Sequence, residues 1–320
     1  MTPLPPSIQV LERGWLSSNN IVFADDDVPT VVDTGYVSDA PETLRLIDGA
    51  LQGRPLGRIV NTHLHSDHAG GNALLTERHG CQTWIPPGEA ALVTDWDEDA
   101  LSYRRTSQRC PRFGFDRLLV PHERLSLGGE GWAVLPAAGH DHAMVMLWCE
   151  RLGILISADA LWQKGFGVIF PELEGVAGFA EQAATLDLIG QLCPAIVIPG
   201  HGAPFGEHDG AVSAALQAAR SRIEWLSEDP RRNADNALKV LLAFKLLETR
   251  RMSLPELAAM VQASFEGMGA MRALYPVDPE AIAAHMAQEL VRAGAATLDG
   301  GVLHSTRGGG DARGGHPPST

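Results

Sequence analysis

Residues 62–71 read THLHSDHAGG, which places His63, His65, Asp67 and His68 within six consecutive positions. The run follows the apolar segment RPLGRIV and precedes AGGNALLTERHG, a pattern that predicts a strand end followed by a helix. Side chains at i and i+2 of an extended segment point to the same side, so His63 and His65 can bind one metal ion. The turn into the helix re-aims Asp67 and His68, which can serve a second ion. A surface loop that is merely rich in histidine is the alternative.

Imidazole and carboxylate are ligands that suit zinc, manganese or iron. Three protein ligands with one open position are typical of catalytic rather than structural metal sites. The cluster therefore predicts an enzyme that uses a metal ion.

Composition agrees with an enzyme acting on small molecules. A chain of 320 residues with 45% hydrophobic residues can bury a large core, with one big domain and a smaller one. The formal net charge of −14 argues against a general affinity for nucleic acid or anionic membranes. Neither a signal peptide nor an apolar run long enough to span a membrane is recognisable, so we expect a cytoplasmic protein.

The four cysteines are widely spaced and form no C-x-x-C pair. This pattern predicts buried thiols in a reducing compartment rather than disulfides or zinc ligands. The cysteines are Cys81, Cys110, Cys149 and Cys193.

Secondary-structure patterns predict a layered α/β fold. IQVLERG, NNIVFADD and PTVVDTG read as an antiparallel meander, and APETLRLIDGALQG reads as an amphipathic helix. Strands and helices then alternate as far as AIVIPGHG, and each polar cluster lies at a strand end. We expect the site to lie along one sheet edge.

Ligand-type residues follow four of the predicted strands where each apolar run stops. Strand ends on one edge converge in space, so five histidines and two aspartates can meet in one cleft, which is enough for two ions. These residues are His63 and His65 after RIVNT with Asp67 and His68 beyond them, His140 after LPAAG, Asp159 after ILISA, and His201 after IVIPG.

The order of these motifs resembles the metallo-β-lactamase superfamily of metallohydrolases. VVDTG, the H-x-H-x-D-H run THLHSDHAGG, AGH, SADA and PGHG follow one another as in that family, over roughly residues 8–210. The resemblance implies an α/β fold, a four-layered αββα sandwich, with two divalent metal ions, zinc first and manganese or iron as alternatives.

The resemblance also implies a ligand assignment. His63, His65 and His140 would bind the first ion, Asp67, His68 and His201 the second, and Asp159 would bridge the two. A hydroxide shared by two cations about 3.5 to 4 Å apart would be the nucleophile. Asp67 would orient that hydroxide and accept its proton, which makes it the catalytic residue.

Asp159 within SADA is similar to the glyoxalase II, lactonase and nuclease branches, whereas the true β-lactamases of the superfamily generally lack this aspartate. The sequence therefore predicts hydrolysis of a small activated carbonyl substrate, a thioester, ester or lactone. A metal-dependent endoribonuclease is the alternative. A β-lactamase and a non-catalytic binding protein are disfavoured, the latter because every expected ligand is present.

Residues near the motifs are candidates for substrate contact. Trp162, Phe166 and Phe170 follow Asp159 and can line an acyl pocket or simply pack the domain. Tyr36 can stabilise an oxyanion or be structural. His142, in GHDHAM, we expect outside the catalytic set.

Three units are predicted: a catalytic domain over 1–210, a helical winged-helix-like module over 211–304 and a disordered tail over 305–320. Three helices and the hairpin ATLDGGVLH define the module, which resembles a C-terminal addition of the human β-lactamase-like endoribonuclease. Acidic residues balance its arginine pairs, so we expect a lid or a homodimer surface rather than a nucleic-acid reader. The pairs are Arg231 with Arg232 and Arg250 with Arg251.

Overall fold

The computed structural model describes residues 4–306. Apart from its first two residues, the tail predicted over 305–320 lies outside the described residues. Ser305 itself is the last residue of a strand.

A six-stranded sheet forms the first half of the chain, with its strands in sequence order. The strands are β1 (Gln9–Leu11), β2 (Asn20–Phe23), β3 (Thr30–Val32), β4 (Arg58–Val60), β5 (Gln82–Ile85) and β6 (Arg117–Leu118). The pairings β1 to β2 and β2 to β3 are antiparallel, which confirms the predicted meander, and β3 to β6 are parallel. The helices of this half are α1 (Ala40–Leu51), α2 (Ser66–Ala69), α3 (Asn72–His79) and α4 (Ala90–Asp95).

A second six-stranded sheet follows, in the order β12-β11-β10-β9-β8-β7. Its strands are β7 (Arg124–Leu127), β8 (Glu130–Pro136), β9 (Val145–Cys149), β10 (Ile154–Ala158), β11 (Ile196–Pro199) and β12 (Phe205–Gly206). Its pairings are antiparallel except for β10 with β11. The helices here are α5 (Phe170–Leu173), α6 (Phe179–Leu192) and α7 (Ala211–Glu228).

The two sheets pack face to face and helices cover their outer faces. Val32 and Val60 of the first sheet share one buried cluster with Trp132 and Ile198 of the second. On the outer side of the first sheet, Ile47 of α1 is buried with the apolar side chains of β3 and β4. The helices α6 and α7 bury their apolar faces against the second sheet. Strands covered on both faces have to be apolar throughout, which explains the continuous runs in the sequence. The predicted four-layered αββα fold class is confirmed.

The rest of the chain forms a helical unit with its own apolar cluster. Its elements are α8 (Pro230–Thr249), β13 (Arg251–Ser253), α9 (Leu254–Gly267), α10 (Gly269–Ala273), α11 (Pro279–Arg292), β14 (Ala296–Asp299) and β15 (Val302–Ser305). A capping box between Ser253 and Glu256 opens α9, and β14 and β15 form the predicted hairpin. The domain boundary at residue 210 stays a prediction; α7 packs against α6 on the second sheet.

Sequence reasoning missed the shortest elements, namely β6, β7, β12, β13, α5 and α10. Most of these contain too few residues to show a period. The strand β7 did carry a signal, because Leu125 and Leu127 are buried while their neighbours are exposed.

The prediction of four buried thiols was wrong at Cys193, which is exposed; the other three cysteines are buried, and all four are free. Cys193 lies just past α6 in a left-handed conformation (φ 47°), at the surface where that helix turns back toward β11. Between residues 4 and 306, no helix has both the length and the apolar character needed to cross a bilayer.

Candidate metal centre

Strand ends deliver the predicted ligands, but from two sheets rather than the single edge that the sequence predicted. His63 follows β4 of the first sheet. Asp159 and His201 follow β10 and β11 of the second sheet, and His140 lies between β8 and β9. The edges meet because the Val145 N–H donates to the Thr62 carbonyl at 2.9 Å or less, namely 2.8 Å. The site therefore occupies the seam between the two sheets.

Three histidines form the first group. One ring nitrogen of each of His63, His65 and His140 lies within 4.8 Å of the others. His65 Nδ1 and His140 Nε2 face each other at 2.8 Å. As the i, i+2 spacing predicted, His63 and His65 reach one position.

The second group joins Asp67, His68 and His201, whose ligand atoms also lie within 4.8 Å of one another. His201 Nε2 is 3.1 Å from Asp67 Oδ2. Asp67 and His68 belong to α2, so the helical turn re-aims them away from the first group.

Asp159 lies between the two groups. Its Oδ2 is 3.5 Å from His140 Nε2 and 3.9 Å from His201 Nε2. Its Oδ1 is 3.5 Å from His68 Nε2. One carboxylate therefore faces both groups, as a bridging ligand would.

Hydrogen bonds on the far side of the rings fix their orientation. His140 Nδ1 is 2.6 Å from the Val168 carbonyl and His68 Nδ1 is 2.8 Å from Asp33 Oδ2. A ring that donates from Nδ1 presents an unprotonated Nε2 to the site. Asp33 is itself held by the Thr62 N–H at 2.9 Å.

Two buried ring nitrogens test whether the site suits metal ions. Nε2 of His63 and Nε2 of His68 are buried and make no hydrogen bond in the described part of the chain. Buried polar atoms are normally paired, so two orphaned nitrogens beside carboxylates call for a cationic partner. The residues fit a pair of divalent ions.

The charges of the cluster support the same conclusion. Burial, with the neighbouring histidines, lowers the pKa of His63, and burial lowers the pKa of His140 to about 4. Both rings are therefore neutral near pH 7, the form that binds metals. Burial opposes a charge on His68, but the carboxylates of Asp159 and Asp33 outweigh it and raise its pKa. A positive charge is thus favoured where the second group converges.

The sequence profile of the metallo-beta-lactamase superfamily matches residues 13–201, more than half of the chain. The chain belongs to this superfamily. Its members bind divalent metals, commonly two.

Three similar proteins show how far the likeness extends. A hydroxyacylglutathione hydrolase of Rhodospirillum rubrum is 28% identical over 126 residues, which are 39% of this chain and 41% of that protein. This chain therefore spans less than half the length of that curated relative. The probable metallo-hydrolase YqjP of Bacillus subtilis is 24% identical over 263 residues, 71% of this chain and 79% of that protein. A beta-lactamase domain protein from Burkholderia ambifaria has a similar fold, with a TM-score of 0.57, 22% identity and coverage of 95% and 94% of the two chains.

Above the metal ligands, this superfamily member has a cavity of about 530 Å³. The loop after β10 supplies one wall and α8 of the helical unit supplies another. Trp162, Phe166 and Phe170, which the sequence proposed as pocket residues, all line it. Phe170 packs edge-on against His65, with ring centroids 5.3 Å apart.

Two other candidates lie outside the cavity lining. Tyr36 is fully buried, its hydroxyl accepts the Arg109 N–H at 3.1 Å, and its ring packs on Phe244, so its role is structural. His142 is exposed, consistent with its exclusion from the catalytic set. Its neighbour Asp141 is buried and lies 3.7 Å from His65 Nε2.

Sequence reasoning missed three functional positions. Trp15 packs on His201 with centroids 5.3 Å apart and lines the cavity. Asp33, within the recognised VVDTG run, holds His68. Gly167 lies so close to His140 that an added Cβ would be 2.6 Å from its Cε1. Only the glycine of the second kind of contact, and the motif around Asp33, left a trace in the sequence.

We expect Gly167→Ala to displace His140 and weaken metal binding by about 10- to 100-fold, the usual cost of disturbing what holds a ligand. Metal affinity measured by competition with a chelator checks this. Gly114→Ala is the matched control, because nothing lies within 4 Å of a Cβ added at Gly114. Equal affinities for the two variants would mean that Gly167 does not position His140.

Proposed function

We propose that this protein is a metal-dependent hydrolase of small activated carbonyl substrates, with thioesters first and esters or lactones next. The observation that carries the proposal is the pair of three-residue ligand groups joined by Asp159 at the base of an apolar-walled cavity. The names of the similar proteins support hydrolysis, and hydroxyacylglutathione hydrolase names a thioester hydrolase.

Seven side chains would hold two divalent ions, zinc first, with manganese or iron as alternatives. The first ion would take His63, His65 and His140, the second Asp67, His68 and His201, with Asp159 shared between them. When bound, such ions make water acidic enough to act as a nucleophile near neutral pH and polarise the substrate carbonyl.

Asp67 is the proposed catalytic residue. It lines the cavity, and its side chain is 16% exposed, against 5% for Asp159. The carboxylate can therefore orient the attacking water and accept its proton. His201 Nε2, 3.1 Å away, holds the carboxylate oxygen in place.

The cavity walls suit an apolar acyl group. Trp162 and Phe170 rise from the loop after β10, and Val240 and Phe244 face them from α8. A volume of about 530 Å³ is within the range of small-molecule sites. The walls would bind the acyl portion and exclude bulk water from the reacting carbonyl.

The helical unit is held against the catalytic layers at this wall. Glu248 of α8 receives a hydrogen bond from Arg109 Nε at 2.8 Å and another from Lys245 at 2.7 Å. Lys245 also donates to the Ser107 carbonyl at 2.9 Å. These contacts support the interpretation of α8 as part of a lid over the site.

A substrate screen tests the proposal. Purified protein with measured metal content would be assayed on acyl thioesters, esters, lactones and single-stranded RNA. We expect turnover of at least one acyl class that is lost on chelation. RNA cleavage without acyl turnover would overturn the proposal in favour of the endoribonuclease alternative.

The surface arginines provide a sharper test of that alternative. Arg231 lies 4.0 Å from Asp235 and Arg232 lies 3.1 Å from Glu228, so acidic partners on the same helices offset their charge. We expect replacement of Arg231, Arg232, Arg250 and Arg251 by alanine to leave turnover of a neutral ester and its weak salt dependence unchanged. An RNA-binding module would instead lose a salt slope of about 0.7 per phosphate contact. Rates measured from low to moderate salt on both substrate types distinguish the two.

We also propose the cytoplasm as the compartment. The four free thiols support it, since disulfides are rare where the environment is reducing.

A further inference from the structure

The charged side chains that line the cavity fall into two sets. Asp67 and Asp159 lie with the histidines at its base. Every other Asp, Glu, Lys or Arg that lines the cavity is a cation: Lys164, Arg222 and Lys239. The whole chain carries 39 acidic and 25 basic residues, so this excess of cations runs against the composition.

The three cations come from three separate elements. Lys164 belongs to the loop after β10, Arg222 to α7 and Lys239 to α8. They therefore do not form the solvated stripe of a single helix. The fold brings them to walls that supply none of the proposed metal ligands.

Local contacts hold two of these cations at the cavity. The Arg222 guanidinium lies over the Phe166 ring, 5.7 Å from its centroid, and its Nη1 is 3.6 Å from the Cβ position of Gly165. It is thus next to Lys164 along the chain. Lys239 Nζ is 3.4 Å from Glu289 of α11, a partner that offsets one of the three charges.

Cations gathered in a partly enclosed space repel one another, because the dielectric there is lower than in water. Burial lowers the pKa of Arg222, yet a guanidinium stays charged in proteins. An anion that entered the cavity would relieve the repulsion, and the positive potential would attract it to an otherwise acidic protein. The aromatic walls between these cations and the histidines would contact an apolar segment.

We propose that the substrate of this site is amphipathic, with an anionic group, a carboxylate or a phosphate, remote from the bond that is cleaved. Lys164, Arg222 and Lys239 bind that group and set the specificity of the reaction. This inference rests on the proposed hydrolase function and names its substrate class.

Four thioesters test the proposal and separate the two sources of negative charge. The acyl group is adipoyl with a free terminal carboxylate or its neutral methyl ester. The thiol is coenzyme A, which carries phosphates, or neutral N-acetylcysteamine. We expect kcat/KM for at least one singly modified anionic substrate to exceed that of the fully neutral thioester by about tenfold or more, as for a charge-assisted hydrogen bond. The arm that shows the preference identifies which end of the substrate carries the anion.

The variant Lys164→Met/Lys239→Met should reduce this preference severalfold, chiefly through KM, and Arg222→Met provides a second, independent removal of charge. Arg124→Met is the matched control, because Arg124 is 64% exposed on β7 and does not line the cavity. It should keep the wild-type preference. No preference in the wild type, or a preference that survives in both cavity variants, would overturn the proposal.

Binding of thioether analogues, which cannot be hydrolysed, separates this proposal from the proposed function. Calorimetry would compare the charged and neutral analogues with the metal-loaded protein. Tighter binding of a charged analogue, reduced in the cavity variants but without thioester turnover, would support the anion site and contradict the hydrolase. Turnover with equal binding of charged and neutral analogues would contradict the anion site alone.

Discussion

Replacement of Asp159 by alanine should remove at least one of two bound metal ions and reduce turnover by about 100-fold or more. The reason is its position, since its two oxygens lie 3.5 Å from His68 Nε2 and 3.5 Å from His140 Nε2. Loss of a group that only hydrogen-bonds to a ligand costs about 10- to 100-fold in metal affinity, so loss of a shared ligand should cost at least the upper end of that range. Metal content by elemental analysis and turnover on the best thioester measure the effect.

Asp187→Ala is the matched control, because that carboxylate lies on the exposed side of α6, where it pairs with Arg220. It should keep two ions and wild-type turnover. If Asp159→Ala also kept two ions and normal turnover, Asp159 would have no place in the site.

The second large effect is expected for Asp67→Asn, which keeps an oxygen ligand but removes the group that can accept a proton. Turnover should fall by roughly 100-fold or more, the scale of general acid and base catalysis. Burial opposes ionisation of Asp67, but His68 and His201 outweigh it and lower its pKa, so the wild-type carboxylate is ionised near neutral pH. The pH dependence of kcat/KM should therefore lose its limb assigned to this group.

Metal content has to be measured beside the rate of Asp67→Asn, because weaker metal binding would also slow turnover. His142→Ala serves as the comparison, since His142 is exposed two residues past the ligand His140. It should keep both ions and its rate. An Asp67→Asn variant with two ions and a wild-type rate would show Asp67 to be a spectator.

The sequence predicted the ligands well because each follows an apolar strand. His63, Asp159 and His201 stand where continuous runs of β-branched and aliphatic residues stop, and such runs can be recognised without a structure. The i, i+2 spacing of His63 and His65 likewise follows from strand geometry alone. The division of these residues between two sheets could not be predicted, because the packing of one sheet on another depends on contacts between distant segments.

The walls of the site were harder to predict for the same reason. Trp15 precedes β2 yet packs on His201, and Phe244 of α8 reaches the cavity from the helical unit. Neither has a local pattern that distinguishes it from an ordinary core residue. Lys239 reads as one cation of an amphipathic helix, and only the packing of α8 over the strand ends gives it a place in the cavity.

The most direct test of the account is a metal titration of turnover. Protein freed of metal by a chelator would receive zinc, manganese or iron in increments, and thioester hydrolysis would be measured at each ratio of metal to protein. The account predicts negligible turnover without metal and a rise that ends at about two equivalents per chain, since two three-residue groups share Asp159. Full turnover in the metal-free protein, or none at any metal ratio, would contradict it.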